Sequence, residues 1–315
     1  MKIIVAGATG TIGRPLVTAL RLGGHRVYAL TRGGRGAEVA RALGATPLIA
    51  NVLDAKSLTR ATERLTADAV VHQLTGYRNS PPTHYHSPGL LRTNTLRETG
   101  SKNLVELAER VGATRYLTQS LVLGYGIRDH GAELVTEQAG FARLQGDHND
   151  EFLAALHEAE AHAWRARGLD GIALRYGVIY GPGGASDLML RAMKLRLVPV
   201  PARGVGRMSF VHIDDVVSAT VAALEHGRAG QSYNIVDDEP VSWTVLFDAM
   251  AAAVGARRPL RVPGRAMRMS SPLAAAQMLD LSIGVSNAKA KAELGWKPAF
   301  PTYREGVTTL AGALR

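Results

Sequence analysis

A chain of 315 residues that is 46% hydrophobic and 20% charged can bury a sizeable core and is too apolar to remain disordered. It has no cysteine, which excludes disulfides, zinc–thiolate centres and thiol nucleophiles. Its formal charge of +10 comes from scattered residues, mostly arginine, with no helix-turn-helix, zinc module or basic run with interleaved aromatics, so nucleic acid is not an expected partner. There is neither a signal-peptide core nor an apolar stretch of membrane-helix length, so the expected setting is the cytoplasm, with no membrane partner.

The first apolar run, Ile3–Ala6, predicts a strand, and a helical pattern follows over Arg14–Leu22. Between them stands Gly7-Ala8-Thr9-Gly10-Thr11-Ile12-Gly13. In that context Gly7 lets the chain turn, Gly10 lets the backbone approach a pyrophosphate, and Gly13 lets the helix pack closely on the sheet. Thr9, Thr11 and Ile12 share the turn, and the helix N-terminus offers free N–H groups and partial positive charge to phosphates. This predicts a nicotinamide dinucleotide site. The next strand, Val27–Thr31, ends in Arg32, with Arg35 close behind and no acid before Glu38. An enzyme that reads the ribose hydroxyls of NAD usually has a carboxylate there, whereas an arginine pairs with a 2′-phosphate. The expected cofactor is therefore NADP(H) in preference to NAD(H).

Strands are predicted further at Pro47–Ala50, Ala69–Leu74, Arg115–Gln119, Gly171–Arg175 and Gln231–Val236. Helices are predicted at Ala37–Leu43, Ser57–Leu65, Leu91–Val111, Glu151–Arg167 and Trp243–Val254. Gly124–Asp150 reads as a long irregular loop and Gly181–Gly184 as a turn. Such alternation gives an α/β fold, a Rossmann-type doubly wound parallel sheet with a smaller C-terminal lobe that binds substrate. The expected division is 1–176 for the dinucleotide domain, with return segments near 209–236, and 177–315 mainly for the substrate lobe.

Ligands of open parallel sheets bind beyond the carboxyl ends of the strands. That rule selects Gln73, Leu74 and Thr75, then Gln119 and Ser120, then Tyr176. Tyr176 is the conventional proton donor among them, or else a packed aromatic whose hydroxyl is satisfied internally. The loop Tyr77–Pro88 carries His84-Tyr85-His86 and two adjacent prolines. It is either a lid that lends a histidine acid or a mobile polar loop. Two ligands on one loop fall short of a metal site, and no metal is expected.

Taken together, several ordered motifs resemble the short-chain dehydrogenase/reductase superfamily, in its extended branch, the NAD-dependent epimerase/dehydratase family. They are the Gly-x-x-Gly-x-x-Gly turn, Val70–Thr75, Thr93-Asn94, Leu174–Gly183 with Tyr176 where proline is usual, Ser209–Asp215, Tyr233-Asn234-Ile235, and Ser286–Lys289 leading to Leu294-Gly295-Trp296. The resemblance implies that Asn51 and Val52 lie at the adenine, that Asn94 lies in the cofactor site, that Ser120 lies near the family's serine and that the chain is a homodimer. It also implies a Tyr-x-x-x-Lys pair, which is absent. If Glu160 is the family's helix glutamate, Phe152 and Leu156 hold the two positions, and neither can move a proton. His157 and His162 then read as solvated or capping, and His212 as structural. Arg261 and Arg265 contact a substrate anion or form a solvated face. The resemblance implies an NADP(H)-dependent oxidoreductase of the atypical extended type. Its substrate would be a small carbonyl or hydroxyl metabolite, reduced with a non-standard proton donor. The rivals are a catalytically silent dinucleotide sensor and a non-redox isomerase or dehydratase on the same fold.

Overall fold

Seven short strands, most of them with buried interiors, pair side by side in the computed structural model, which describes residues 1–77, 82–202 and 206–312. They are β1 (Lys2–Ala6), β2 (Arg26–Thr31), β3 (Thr46–Ile49), β4 (Ala69–His72), β5 (Arg115–Leu121), β6 (Asp170–Tyr176) and β7 (Gln231–Ile235). Their order is β7-β6-β5-β4-β1-β2-β3 and every pairing is parallel, so both faces must be covered. The helices around them are α1 (Gly13–Leu22), α2 (Arg35–Ala42), α3 (Ala55–Thr62), α4 (Pro88–Thr95), α5 (Ser101–Arg110), α6 (Asp150–Arg165) and α8 (Ile213–His226), while α7 (Ala185–Lys194) packs in the smaller lobe. One core, with Leu16, Leu20, Val216 and Tyr176, lies beneath α1 and α8. The other, with Leu58, Leu104 and Tyr116, lies beneath α3 and α5. After β3 the chain crosses back to the far side of β1 to form β4, and this switch opens a crevice at the carboxyl ends of β1 and β4.

Two local expectations differ from the structure. The continuous helix expected over Leu91–Val111 begins earlier, at Pro88, and is divided by a π turn at Leu96–Gly100 between α4 and α5. The 3.6-residue pattern does not reveal where such a widened turn falls. Gly124–Asp150 is not wholly irregular, because Asp129–Val135 forms a strand that pairs with distant Ser282–Val285. The smaller lobe holds a third core around Tyr180, Phe210, Met250 and Leu310. Among the described residues no helix is long and apolar enough to cross a membrane.

Candidate active site

The glycine turn is built as its residue types demand. Gly7 has φ +93, and a Cβ there would lie 2.6 Å from the Gln73 carbonyl oxygen of β4's end. A Cβ on Gly13 would lie 2.0 Å from the Gly7 carbonyl oxygen. The turn is closed by the Gly10 N–H, which donates to the Gly7 carbonyl at 2.9 Å. No side chain caps the start of α1; the Arg14 N–H is taken by the Gly10 carbonyl at 3.1 Å, while the Thr11, Ile12 and Gly13 N–H groups make no hydrogen bond among the described residues and are open to an anion. The cradle fits a pyrophosphate. Gly10 and Thr11 are exposed at its rim, Thr9 and Ile12 are half-buried, and Thr11 packs on Gly183 and Gly184 of the smaller lobe.

Along the strand ends the expected residues take different positions. Arg32 and Arg35 are exposed beyond β2, and Arg32 makes no hydrogen bond or ion pair among the described residues. Asn51 is exposed, with its Oδ1 accepting from the Leu53 N–H at 3.2 Å. Val52 is buried, and its carbonyl accepts from Asn103 at 2.9 Å. Leu74 is half-buried and Thr75 is exposed in the cleft wall. Asn94 and Ser120 are buried, and Asn94 Oδ1 and Ser120 Oγ have no partner among the described residues. Tyr176 is fully buried; Gln73 Nε2 donates to its hydroxyl at 2.7 Å, and the hydroxyl shares a 2.9 Å bond with Thr220 on α8. Burial pushes its pKa up to about 12, against the pull of those two bonds. Its hydroxyl is thus satisfied internally, as the packed-aromatic alternative expects, while Tyr176 also contributes to the lining of the cleft.

The cleft itself is about 300 Å³ and mainly apolar. Its walls include Thr11 and Ile12 of the glycine turn, Phe152 of α6, Tyr85, Trp243 and Arg97. Phe152 faces the cleft while Leu156, one turn on, is fully buried. The family's proton-relay positions are therefore apolar in space as well as in sequence. His84 and His86 are exposed, and of that tripeptide it is Tyr85 that lines the cleft, which corrects the histidine-lid reading. Residues 78–81 of that loop lie outside the described residues. Burial, then Asp147, raises the Tyr85 pKa. Arg261 is tied to Asp248 at 2.6 Å and Arg265 is exposed; neither lines the cleft. His157 meets the Ala142 carbonyl at 2.9 Å, His162 meets Ser101 Oγ at 2.7 Å, and His212 caps α8 by accepting from the Asp214 N–H. No metal-binding group of three or more His, Asp or Glu occurs among the described residues.

Sequence reasoning missed Arg97, although a signal was present. Leu90, Asn94, Arg97, Ser101, Leu104 and Ala108 fall on one helical stripe, and all are buried. A charge on that stripe marks either an ion pair or a ligand site.

A family model described as NAD dependent epimerase/dehydratase family matches residues 3–236. A 3-diazoavenalumate denitrifying reductase from Streptomyces sp. is 35% identical over 98% of this chain and 99% of its own. A Thermotoga maritima UDP-glucose 4-epimerase superposes with a TM-score of 0.79, at 22% identity, over 99% of this chain and 98% of its own. The dTDP-glucose 4,6-dehydratase DesIV of Streptomyces venezuelae gives 0.77 at 22%, over 99% and 96%. DesIV, the Bacillus anthracis dehydratase and Bordetella bronchiseptica WbmG were each solved with NAD, while one human epimerase family protein was solved with NADPH. That balance overturns the expectation of NADP(H). The arginine at the end of β2 is solvated and is not pre-set as a phosphate clamp, so its presence carries little weight.

Proposed function

Since this chain belongs to the NAD-dependent epimerase/dehydratase family, and is an enzyme of that nicotinamide-dependent type, we propose that it is an NAD(H)-dependent reductase of a planar aromatic substrate whose reaction needs no proton relay, such as an aryl diazo compound. When bound, NAD(H) supplies a hydride to a carbon held in the cleft. In this reading Gly7, Thr9, Gly10, Thr11, Ile12 and Gly13 hold the pyrophosphate, and Arg32 donates to the adenosine ribose. Asn51 and Val52 flank the adenine. Gln73, Leu74, Thr75, Asn94 and Ser120 border the nicotinamide end. Assembly as a homodimer belongs to the same proposal, as does the division at residue 176.

The observation that carries the reading is Phe152 in the cleft wall, one turn before the buried Leu156. Carbonyl reduction leaves an alkoxide that must take a proton, and a phenylalanine offers none. A diazo-substituted aromatic carbon that accepts a hydride loses dinitrogen, and no oxygen needs protonation. The name of the Streptomyces relative specifies a diazo group, its loss and a reduction, and the apolar aromatic walls suit a flat ring. Phe152 then excludes water beside the reacting carbon, which protects a hydrolysable electrophile.

The test is anaerobic turnover of an aryl diazo acid with NADH deuterated at C4. Stoichiometric dinitrogen release and deuterium on the ring carbon are expected. NADH consumption with simple ketones but none with the diazo acid would refute the reading. A second reading, carbonyl reduction with Tyr85 as acid, is favoured by the placement of that hydroxyl in the cleft wall. Under it Tyr85→Phe lowers ketone turnover by about 100-fold or more, and under the first reading Tyr85→Phe leaves diazo turnover within a few-fold.

A further inference from the structure

Arg97 sits in the π turn between α4 and α5, on the helix stripe that faces the interior. It is 2% exposed, and none of its three guanidinium nitrogens has a hydrogen-bond partner among the described residues. The residues beyond those described, 78–81, 203–205 and 313–315, include no aspartate or glutamate, so no further side-chain carboxylate remains to pair it. The Phe152 ring centroid lies 5.2 Å from Cζ, and Tyr77 also supports the charge. A ring face attracts the cation but satisfies none of its five N–H groups. Burial pulls the Arg97 pKa down, yet an arginine starts high enough to keep its charge. A buried, charged and unpartnered side chain is costly to a fold unless a ligand completes it.

Arg97 is one of the residues lining the cleft, along with Tyr77, Tyr85, Phe152 and Trp243, and its guanidinium nitrogens lie just behind the surface of that wall, so a ligand reaches them by a small side-chain displacement. Gln119, also in the wall, has an Oε1 without a partner among the described residues. We propose that Arg97 anchors the substrate by binding an oxyanion of a planar aromatic ligand, a carboxylate or a ring oxide, with both prongs of its guanidinium. The aromatic class rests on the reading above, whereas the requirement for an anion rests on Arg97 alone. A planar fork matches two acceptor oxygens or one oxygen held twice, which a lysine cannot reproduce. The anchor fixes which ring carbon lies toward the glycine turn and neutralises the ligand's negative charge in an apolar site.

The test is calorimetric titration of the NAD-saturated protein, with no turnover required. Cinnamate supplies a carboxylate alone and 4-nitrophenolate a ring oxide alone; cinnamamide and nitrobenzene are their neutral counterparts. At least one anion should bind while its neutral counterpart does not, and whichever binds identifies the oxygen that Arg97 takes. Arg97→Gln should weaken that anion by about 100-fold, and Arg97→Lys should fall in between. Equal binding of charged and neutral forms, binding of neither anion, or wild-type affinity in Arg97→Gln would each overturn the proposal. Arg97→Met serves as the folding control. Its ligand-free melting temperature should equal or exceed that of the wild type, and a fall of several degrees would assign Arg97 to the fold instead. Anion binding without any diazo turnover would retire the proposed reaction and leave the anchor standing.

Discussion

Arg175 and Arg97 are equally buried, at 3% and 2% exposed, and their surroundings are opposite. Arg175, on β6, is fully engaged. Its Nε and Nη2 donate to the two Glu160 carboxylate oxygens at 2.9 and 2.7 Å, Nη1 donates to the Tyr125 hydroxyl at 2.9 Å, and Phe141 lies 4.0 Å from Cζ. Tyr125 passes the chain on to Asn234 of β7 at 2.8 Å. Burial alone would pull the Arg175 pKa down, and Glu160 more than reverses it. Arg97, among the cleft-lining residues, has a ring near it and no hydrogen-bond partner among the described residues. One region closes its polar groups on themselves and locks α6 to the sheet. The other leaves them open where α6 meets the glycine turn. Burial of a charge therefore does not itself separate scaffold from site; whether the protein supplies the counter-group does.

Removing a partner from the closed region should have the largest effect. Glu160→Gln leaves Arg175 buried and uncompensated and should cost about 3–5 kcal/mol of stability in urea unfolding. A loss below 1 kcal/mol would erase the contrast. Arg97→Met should act in the opposite sense, adding about 1–3 kcal/mol by removing an unsatisfied buried charge, while abolishing anion binding. A third measurement extends the contrast to carboxyls. Asp237, just past β7, has its pKa pushed up to about 8, first by burial, and its two carboxyl oxygens have no hydrogen-bond partner among the described residues. The folded state therefore holds that proton more tightly than the unfolded chain does. The stability tied to it is fully present below the ordinary aspartate range and is lost as pH rises through about 8. Melting scans should show wild type losing stability across that window, with Asp237→Asn giving a flatter profile; parallel profiles would refute the assignment. The smallest effect is expected for Tyr176→Phe, about 1 kcal/mol for bonds lost to Gln73 and Thr220. Its turnover should be unchanged, and a large fall would restore Tyr176 to the chemistry.

Much of the fold is written locally. Strands such as β1 and β4 are apolar runs bounded by turn residues, and the spacing of Gly7, Gly10 and Gly13 specifies a turn that the structure builds with a Cβ excluded at the first and last of them. The absence of Tyr-x-x-x-Lys needed no coordinates. Long-range partners could not be read in this way. Asp129–Val135 lacks a strand's apolar alternation and is a strand because Ser282–Val285 lies beside it. Tyr176 has the residue type of a donor, and its hydroxyl is engaged by Gln73 and Thr220, which reach it from the end of β4 and from α8.

By itself the sequence determined the parallel sheet, the dinucleotide turn and the loss of the usual acid, because these depend on periodicity, on backbone freedom and on which atoms a side chain has. Only the tertiary structure decided that Arg175 is paired, that Arg97 is not, and that Tyr85 rather than its neighbouring histidines faces the cleft. The reason is physical: whether a charge is satisfied depends on groups brought within about 3 Å by packing, and distance along the chain does not report that.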